Sequence, residues 1–118
     1  MVSFTQTVLA AATLASAATA YSGQATWYEP GLGACGRTNN RNDLIAAIAP
    51  SFFTHPNPNL DSICGRKAKV TRGSKTVVVT IVDKCMSCPQ GNIDLSPAAF
   101  QQIGNLDEGR VSTSWVFV

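Results

Sequence analysis

Residues 77–100, VVVTIVDKCMSCPQGNIDLSPAAF, decide the fold of this chain because they join a strand, a turn and a helix start in one segment. The part from Val77 to Val82 is β-branched and, apart from Thr80, continuously apolar. Such a run is typical of a strand that is covered on both faces. Asp83 ends the run, so we expect its carboxylate at the mouth of the core.

Asp83 is the candidate catalytic residue. A carboxylate at the edge of a core is partly desolvated, which suits a group that transfers protons. A hydrogen bond to nearby backbone amides is the structural alternative for the same side chain. The residues alone leave both interpretations open.

The first twenty residues have the features of a secretory signal peptide. They carry no charged side chain, have an apolar centre and end in Ala18-Thr19-Ala20, a small-x-small cleavage signal. The apolar centre is too short to cross a membrane. We therefore expect an exported, extracellular protein without membrane contact, in which residues 21–118 form one small domain.

Four cysteines, Cys35, Cys64, Cys85 and Cys88, lie in that domain. An even number in a small exported domain predicts two disulfides, for which three connectivities exist. We favour Cys35 with Cys64 and Cys85 with Cys88; the first bridge stabilises the fold by roughly 3 to 4 kcal/mol in the chain-entropy model. A zinc site is the alternative, although only one close pair of cysteines is present where zinc ribbons usually have two.

Charge and composition argue against several classes of partner. The net charge of +2 comes from nine basic and seven acidic residues. This nearly balanced charge is not typical of a protein that binds nucleic acid. A basic cluster around one predicted hairpin is interpreted as a solvated strand face. No metal cluster or dinucleotide fingerprint is evident, so we expect no cofactor, no metal and a monomer.

Alternation and turn signals predict six short strands and one helix. The predicted strands are residues 24–28, 44–49, 66–71, 77–82, 93–95 and 111–118. Ser96 and Pro97 predict a helix N-terminus, and Gly104 predicts its end. This order suits a small closed barrel better than a sandwich or a helical bundle.

Five ordered motifs in residues 23–118 resemble the single-domain double-psi β-barrel proteins: ATWYEPGLGACG, NDLIAAIA, ICGRKAKV, the segment 77–100 and VSTSWVFV. These proteins include expansin domain one, barwin-like proteins, rare-lipoprotein-A-like wall proteins and a bacterial papain inhibitor. The resemblance implies a mainly β fold, a six-stranded double-psi β-barrel with a short helix and disulfide staples. Such a fold hosts several activities and does not fix a function by itself.

The wall-acting members imply a sugar groove. By that resemblance, Asp83 matches their essential carboxylate, and Thr26 and Tyr28 match residues that bind the substrate along the groove. Asp94 matches a structural residue that caps backbone amides.

Hydrolysis by two carboxylates requires a second acid or base about 5 to 10 Å from the first. Glu29 and Asp43 are the only candidates near the relevant loops, and neither matches the second catalytic position of the related glycosidases. We therefore expect binding or loosening of cell-wall polysaccharide without hydrolysis.

Two alternatives remain. The spacing of GLGACG, ICGRK and DKCMSCPQGNIDLSPA is close to that of the papain-inhibiting member, which implies a secreted cysteine protease as partner and contacts from residues 30–32 or 51–61. The other alternative is an enzyme, either a lytic or glycosidase-type enzyme that uses Asp83 or a riboflavin-aldehyde-forming type of oxidoreductase.

Overall fold

The computed structural model describes residues 19–118, so nearly all of the predicted signal peptide lies outside the described residues. The strands are β1 (Ala20–Trp27), β2 (Ile45–Ile48), β3 (Lys67–Arg72), β4 (Lys75–Lys84), β5 (Ile93–Leu95) and β6 (Arg110–Phe117), and the α-helix is α1 (Pro97–Gln101). The strands close into a barrel in the order β1-β5-β2-β4-β3-β6. The predicted six-stranded barrel with a short helix is confirmed.

Two parallel pairs distinguish this barrel from a simple meander. β1 pairs in parallel with β5, and β2 pairs in parallel with β4, whereas the remaining neighbours are antiparallel. The two shortest strands, β5 and β2, therefore lie side by side between the long strands β1 and β4. This half of the barrel carries the candidate site.

Alternating side chains of all six strands fill the barrel. Ala25, Ile48, Ile81 and Leu95 are fully buried in one apolar cluster, to which α1 contributes Phe100. Burying a large apolar side chain contributes roughly 1.5 to 3 kcal/mol to folding. The barrel interior is therefore a packed core, and a ligand must bind on its outer face or on its loops.

Two boundaries differ from the prediction. β1 begins at Ala20 rather than at residue 24, because residues 20–23 pair with β6, a long-range contact without a local sequence signal. α1 ends at Gln101 rather than near Gly104, since the following amides of Gln102 and Ile103 bond to carbonyls three residues back and tighten the turn. No helix in residues 19–118 is long and apolar enough to span a membrane.

The expectation that β4 is covered on both faces is wrong for its first half. Val78 is 45% exposed, and Lys69, its partner on β3, is exposed as well. Val82 is 2% exposed. Its carbonyl accepts the backbone N–H of Cys35 at 3.1 Å, so the loop around Cys35 covers this end of the strand.

Two disulfides staple the domain as expected. Cys35 is bonded to Cys64 with their Cα atoms 5.7 Å apart, and Cys85 is bonded to Cys88 with a Cα separation of 5.4 Å. All four cysteines are therefore used in disulfides, and the zinc alternative is wrong.

Candidate functional site

Five residues form one row across five neighbouring strands. The strand register pairs Arg110 of β6 with Thr26 of β1, Thr26 with Asp94 of β5, Asp94 with Ala47 of β2, and Ala47 with Asp83 of β4. Residues directly opposite each other on paired strands share a face of the sheet. We call these five residues the cross-strand row, and it lies on the outer face of the barrel.

A β-bulge brings Asp83 into this row. Ala46 pairs with Ile81, but Ala47 already pairs with Asp83, which leaves Val82 as the extra residue on β4. Without the bulge, strict alternation would turn Asp83 to the core side, where Ile81 lies. The bulge explains how an aspartate that directly follows an apolar run reaches the outer face.

Asp94 is held by Thr26. The Thr26 hydroxyl donates a 2.8 Å hydrogen bond to Asp94 Oδ1, and both side chains are half-buried. Burial has the largest effect and raises the pKa of Asp94 above its usual value; Thr26 and the Arg110 guanidinium oppose this rise, and the Asp83 charge adds to it. Asp94 therefore retains its proton to a higher pH than an exposed aspartate does.

Tyr28 directly follows β1, close to both aspartates. Its backbone N–H donates to Leu95 O at 2.9 Å, which extends the β1-β5 pairing by one residue. Burial raises the pKa of the Tyr28 phenol, and the charges of Asp83 and Asp94 raise it further. The phenol is therefore a neutral hydrogen-bond donor at physiological pH.

Asp83 is engaged by backbone amides. Its Oδ1 atom accepts the N–H of Ala34 and the N–H of Lys84, each at 2.8 Å. This contact is the structural alternative that the sequence allowed for Asp83. The prediction that Asp94 caps backbone amides is wrong, because Asp94 accepts the Thr26 hydroxyl and Asp83 binds the amides.

The carboxylates of Glu29 and Asp43 are each bound by residues of the loop between β1 and β2. Glu29 forms an exposed ion pair with Arg41 at 2.9 Å, whereas Asp43 Oδ2 accepts the Asn39 side chain and the Asn40 N–H. The carboxylate that shares the cross-strand row with Asp83 is Asp94 instead. Two interstrand spacings separate their Cα atoms, or about 10 Å.

The structure thus brings together the three predicted site residues, Thr26, Tyr28 and Asp83. The sequence analysis gave Asp94 a structural role only and did not single out Arg110. The Arg110 Nη1 atom donates to Gln24 Oε1 at 2.8 Å. Strand register is the signal that could have found them, because Thr26 has both as its neighbours once β1 is placed between β5 and β6.

The cross-strand row and Tyr28 together present a guanidinium, a hydroxyl, a phenol and two carboxyl groups on an open face. Sugars are rich in hydroxyl groups, which can pair with such donors and acceptors. Within residues 19–118, no three or more His, Cys, Asp or Glu side chains are grouped so that they could hold a metal ion. The surface therefore suits a polar, hydroxylated ligand.

A family model described as lytic transglycolase matches residues 20–115, nearly the whole described barrel. The chain belongs to this double-psi β-barrel family. Membership confirms the fold that the motif order implied, including the relationship with barwin-like and expansin-like proteins.

Among its relatives is the papain inhibitor of Streptomyces mobaraensis. The two sequences are 42% identical over 101 residues, which cover 81% of this chain and 70% of the inhibitor. The solved structure of the Streptomyces papain inhibitor superposes with a TM-score of 0.81 at 38% identity and covers 85% of this chain and 94% of that one. The fold is therefore similar over almost the whole solved inhibitor.

A plant protein and a bacterial expansin are also similar. An EG45-like domain containing protein of Citrus jambhiri is 33% identical over 119 residues, covering 89% of this chain and 87% of the relative. The expansin of Clavibacter michiganensis superposes with a TM-score of 0.73 at 26% identity, but this chain spans only half of it. A mutant of that expansin was solved in complex with cellohexaose.

Proposed function

We propose that this double-psi β-barrel protein is an exported inhibitor of papain-like cysteine proteases. The observation that carries the proposal is the extent of the likeness to the papain inhibitor, which covers 94% of that solved chain at a TM-score of 0.81. The likeness to the expansin covers half of that protein and is weaker in sequence. The sequence alone favoured binding or loosening of wall polysaccharide. Because the likeness covers more of the inhibitor than of the expansin, we now rank protease inhibition first.

The rigidity of the domain supports an inhibitor. The bridge between Cys35 and Cys64 joins two surface loops, and the closed barrel holds both of them in place. A partner that is ordered before binding loses little conformational entropy in the complex. Disulfides persist in oxidising compartments, which agrees with export by the predicted signal peptide.

Titration of papain with the purified, oxidised protein tests this function. Papain is activated with a thiol and then desalted, so that no reductant reaches the two disulfides. We expect stoichiometric loss of papain activity, no loss with trypsin, and no inhibition by protein that has been reduced and alkylated. Full activity of papain and of a small panel of related cysteine proteases would reject the proposal.

A second candidate function is binding of cell-wall polysaccharide along the cross-strand row. The specific observation is the hydrogen-bonded pair of Thr26 and Asp94 beside the neutral phenol of Tyr28. A related expansin was solved in complex with cellohexaose, which points to a β-glucan as a first ligand to try.

Co-sedimentation with insoluble cellulose, chitin and peptidoglycan tests the second candidate. We expect retention that weakens in Tyr28→Ala and Thr26→Val but not in Val78→Thr, a matched change on the exposed side of β4. New reducing ends or anhydro-sugars that disappear in Asp94→Asn would show that the row also catalyses cleavage. Equal retention of the wild type and all variants, or no retention of the wild type on any polymer, counts against binding in this row.

A further inference from the structure

Residues 31–36, GLGACG, form a compact loop that we call the Leu32 loop. Gly33 N–H donates to Arg37 O and Gly36 N–H to Gly33 O, both at 3.0 Å, and Leu32 forms an isolated β-bridge with Thr38. Gly36 has a φ of 80°, a left-handed conformation that favours glycine. The backbone of this loop is therefore fixed by its own hydrogen bonds.

Contacts with the rest of the barrel also fix the Leu32 loop. Cys35 is tied to Cys64 by a disulfide, and the Ala34 N–H is bound by the Asp83 carboxylate at 2.8 Å. A Cβ atom on Gly33 would lie 2.6 Å from Val82 O, so the loop backbone lies directly on β4. Covalent, polar and packing contacts thus fix the loop to one strand.

The Leu32 side chain points away from this support and is 76% exposed. The neighbouring loop carries a second leucine, Leu60, which is 66% exposed. The two loops touch, because a Cβ on Gly36 would lie 3.0 Å from the Asn59 side chain. Each of the two touching loops thus presents one largely exposed leucine that is not part of the apolar core.

We propose that Leu32 is the side chain that this protein inserts into an apolar subsite in the cleft of a papain-like cysteine protease. This inference rests on the proposed function and names the part of the surface that performs it. A protease cleft is concave, and a loop that is fixed before binding enters it at little entropic cost. Residues 30–36 carry no charged side chain, so their burial desolvates no ion. No covalent step is involved.

The same geometry gives Asp83 a positioning role. One oxygen atom, Oδ1, binds the amide of Ala34 in the loop and the amide of Lys84 at the end of β4. The carboxylate therefore fixes the distance between the Leu32 loop and the barrel. Asp83 acts on the protease through Leu32, without contact with the reacting atoms of the protease.

The inhibition constant for papain tests Leu32. We expect Leu32→Ala to raise it by about tenfold or more, as the loss of an interface hot spot does. Val78→Ala, which removes an exposed aliphatic side chain from the opposite part of β4, should change it by less than about twofold. Leu32→Ala should keep the thermal midpoint of the wild type, because Leu32 is 76% exposed, whereas Val78→Ala should lower it slightly because alanine has a weaker strand propensity than valine.

The outcome separates this inference from the proposed function. If the wild type inhibits papain and Leu32→Ala inhibits equally well, the protein is an inhibitor and the Leu32 loop is not its contact. If the wild type does not inhibit any protease of the panel, the proposed function fails and the inference fails with it.

A double-mutant cycle tests the positioning role of Asp83. Asp83→Ala should weaken inhibition, whereas Asp83→Asn should retain most of it, because the asparagine oxygen can still accept both amides. In the Leu32→Ala background, Asp83→Ala should have little further effect. An equal effect in both backgrounds, or none in the wild type, would show that Asp83 does not act through Leu32.

Discussion

The hydroxyl group of Thr26 lies 2.8 Å from Asp94 Oδ1 and donates a hydrogen bond to it, across two strands that pair in parallel. Burial raises the pKa of the Asp94 carboxyl, and this hydrogen bond is the largest of the effects that oppose the rise. Thr26 therefore moderates the rise in the pKa of Asp94 that burial causes, in addition to any contact with a ligand.

Replacement of Thr26 by valine, which keeps the shape but removes the donor, should raise the pKa of Asp94 further. The hydrogen bond favours the charged carboxylate, so its loss favours the protonated form. A titration of side-chain carboxyl carbons by NMR measures the shift, with Asp94→Asn used to assign the resonance. A pKa that stays unchanged or falls in Thr26→Val would contradict the role given to this bond.

Glu108 makes the acid stability of the domain depend on Arg72. Two hydrogen bonds of 2.9 Å join the guanidinium to the carboxylate, and they are the main cause that lowers the pKa of Glu108 to about 2. A carboxyl whose pKa is depressed in the folded state stabilises the fold above its unfolded value of 4.5, and this contribution is lost as the pH falls toward 2.

The wild type should therefore lose thermal stability between pH 4.5 and pH 2 more steeply than Glu108→Gln. Thermal unfolding followed by circular dichroism over this range measures the slope. Arg72→Gln should flatten the profile by a smaller amount, because the Asn105 N–H and the Lys75 charge still lower the pKa of Glu108, and the double variant should behave like Glu108→Gln. Parallel profiles for the wild type and Glu108→Gln would exclude this contribution.

Ser96 links α1 to the loop before β2. Its hydroxyl accepts the Ala99 N–H at 3.2 Å and donates to Asp43 O, and the side chain is fully buried. Ser96→Ala removes the N-cap and leaves a carbonyl without its donor, which should cost about 1 to 3 kcal/mol. Urea unfolding measures the loss, with the exposed Ser112→Ala as the control. A loss as small as that of the control would contradict this assignment.

Local signals predicted the fold well. Two residues, Gly73 and Ser74, turn β3 into β4, and Ser96 followed by Pro97 starts α1, because these side chains act on their own backbone. The even number of cysteines in a short domain that was expected to be exported likewise predicted two disulfides.

The site needed information that a single sequence does not hold. Asp94 and Thr26 are 68 residues apart and meet only through the parallel pairing of β5 with β1. The bulge at Val82 is equally invisible in an uninterrupted β-branched run, yet it decides which face Asp83 occupies. The sequence analysis therefore identified both aspartates, but it assigned the contact with backbone amides to Asp94, whereas Asp83 makes that contact.

The two disulfides should differ in what they stabilise. The bridge of Cys35 closes a loop with a sequence separation of 29 and that of Cys85 one with a separation of 3. In the chain-entropy model, their removal costs about 3.5 and about 2 kcal/mol, respectively. Urea unfolding of the paired serine variants measures both values, and equal losses for the two pairs would contradict the dependence on loop length.

Loss of the longer bridge should also weaken the proposed inhibition of papain, because it releases the Leu32 loop from Cys64 while the barrel remains closed. The paired serine variant of Cys85 and Cys88 is the matched control, since it removes a disulfide without freeing that loop. Inhibition is compared without urea, at a temperature at which both variants are folded by circular dichroism. If both variants inhibit equally, the anchoring of the loop by Cys35 contributes nothing to binding, and only the thermodynamic difference between the bridges remains.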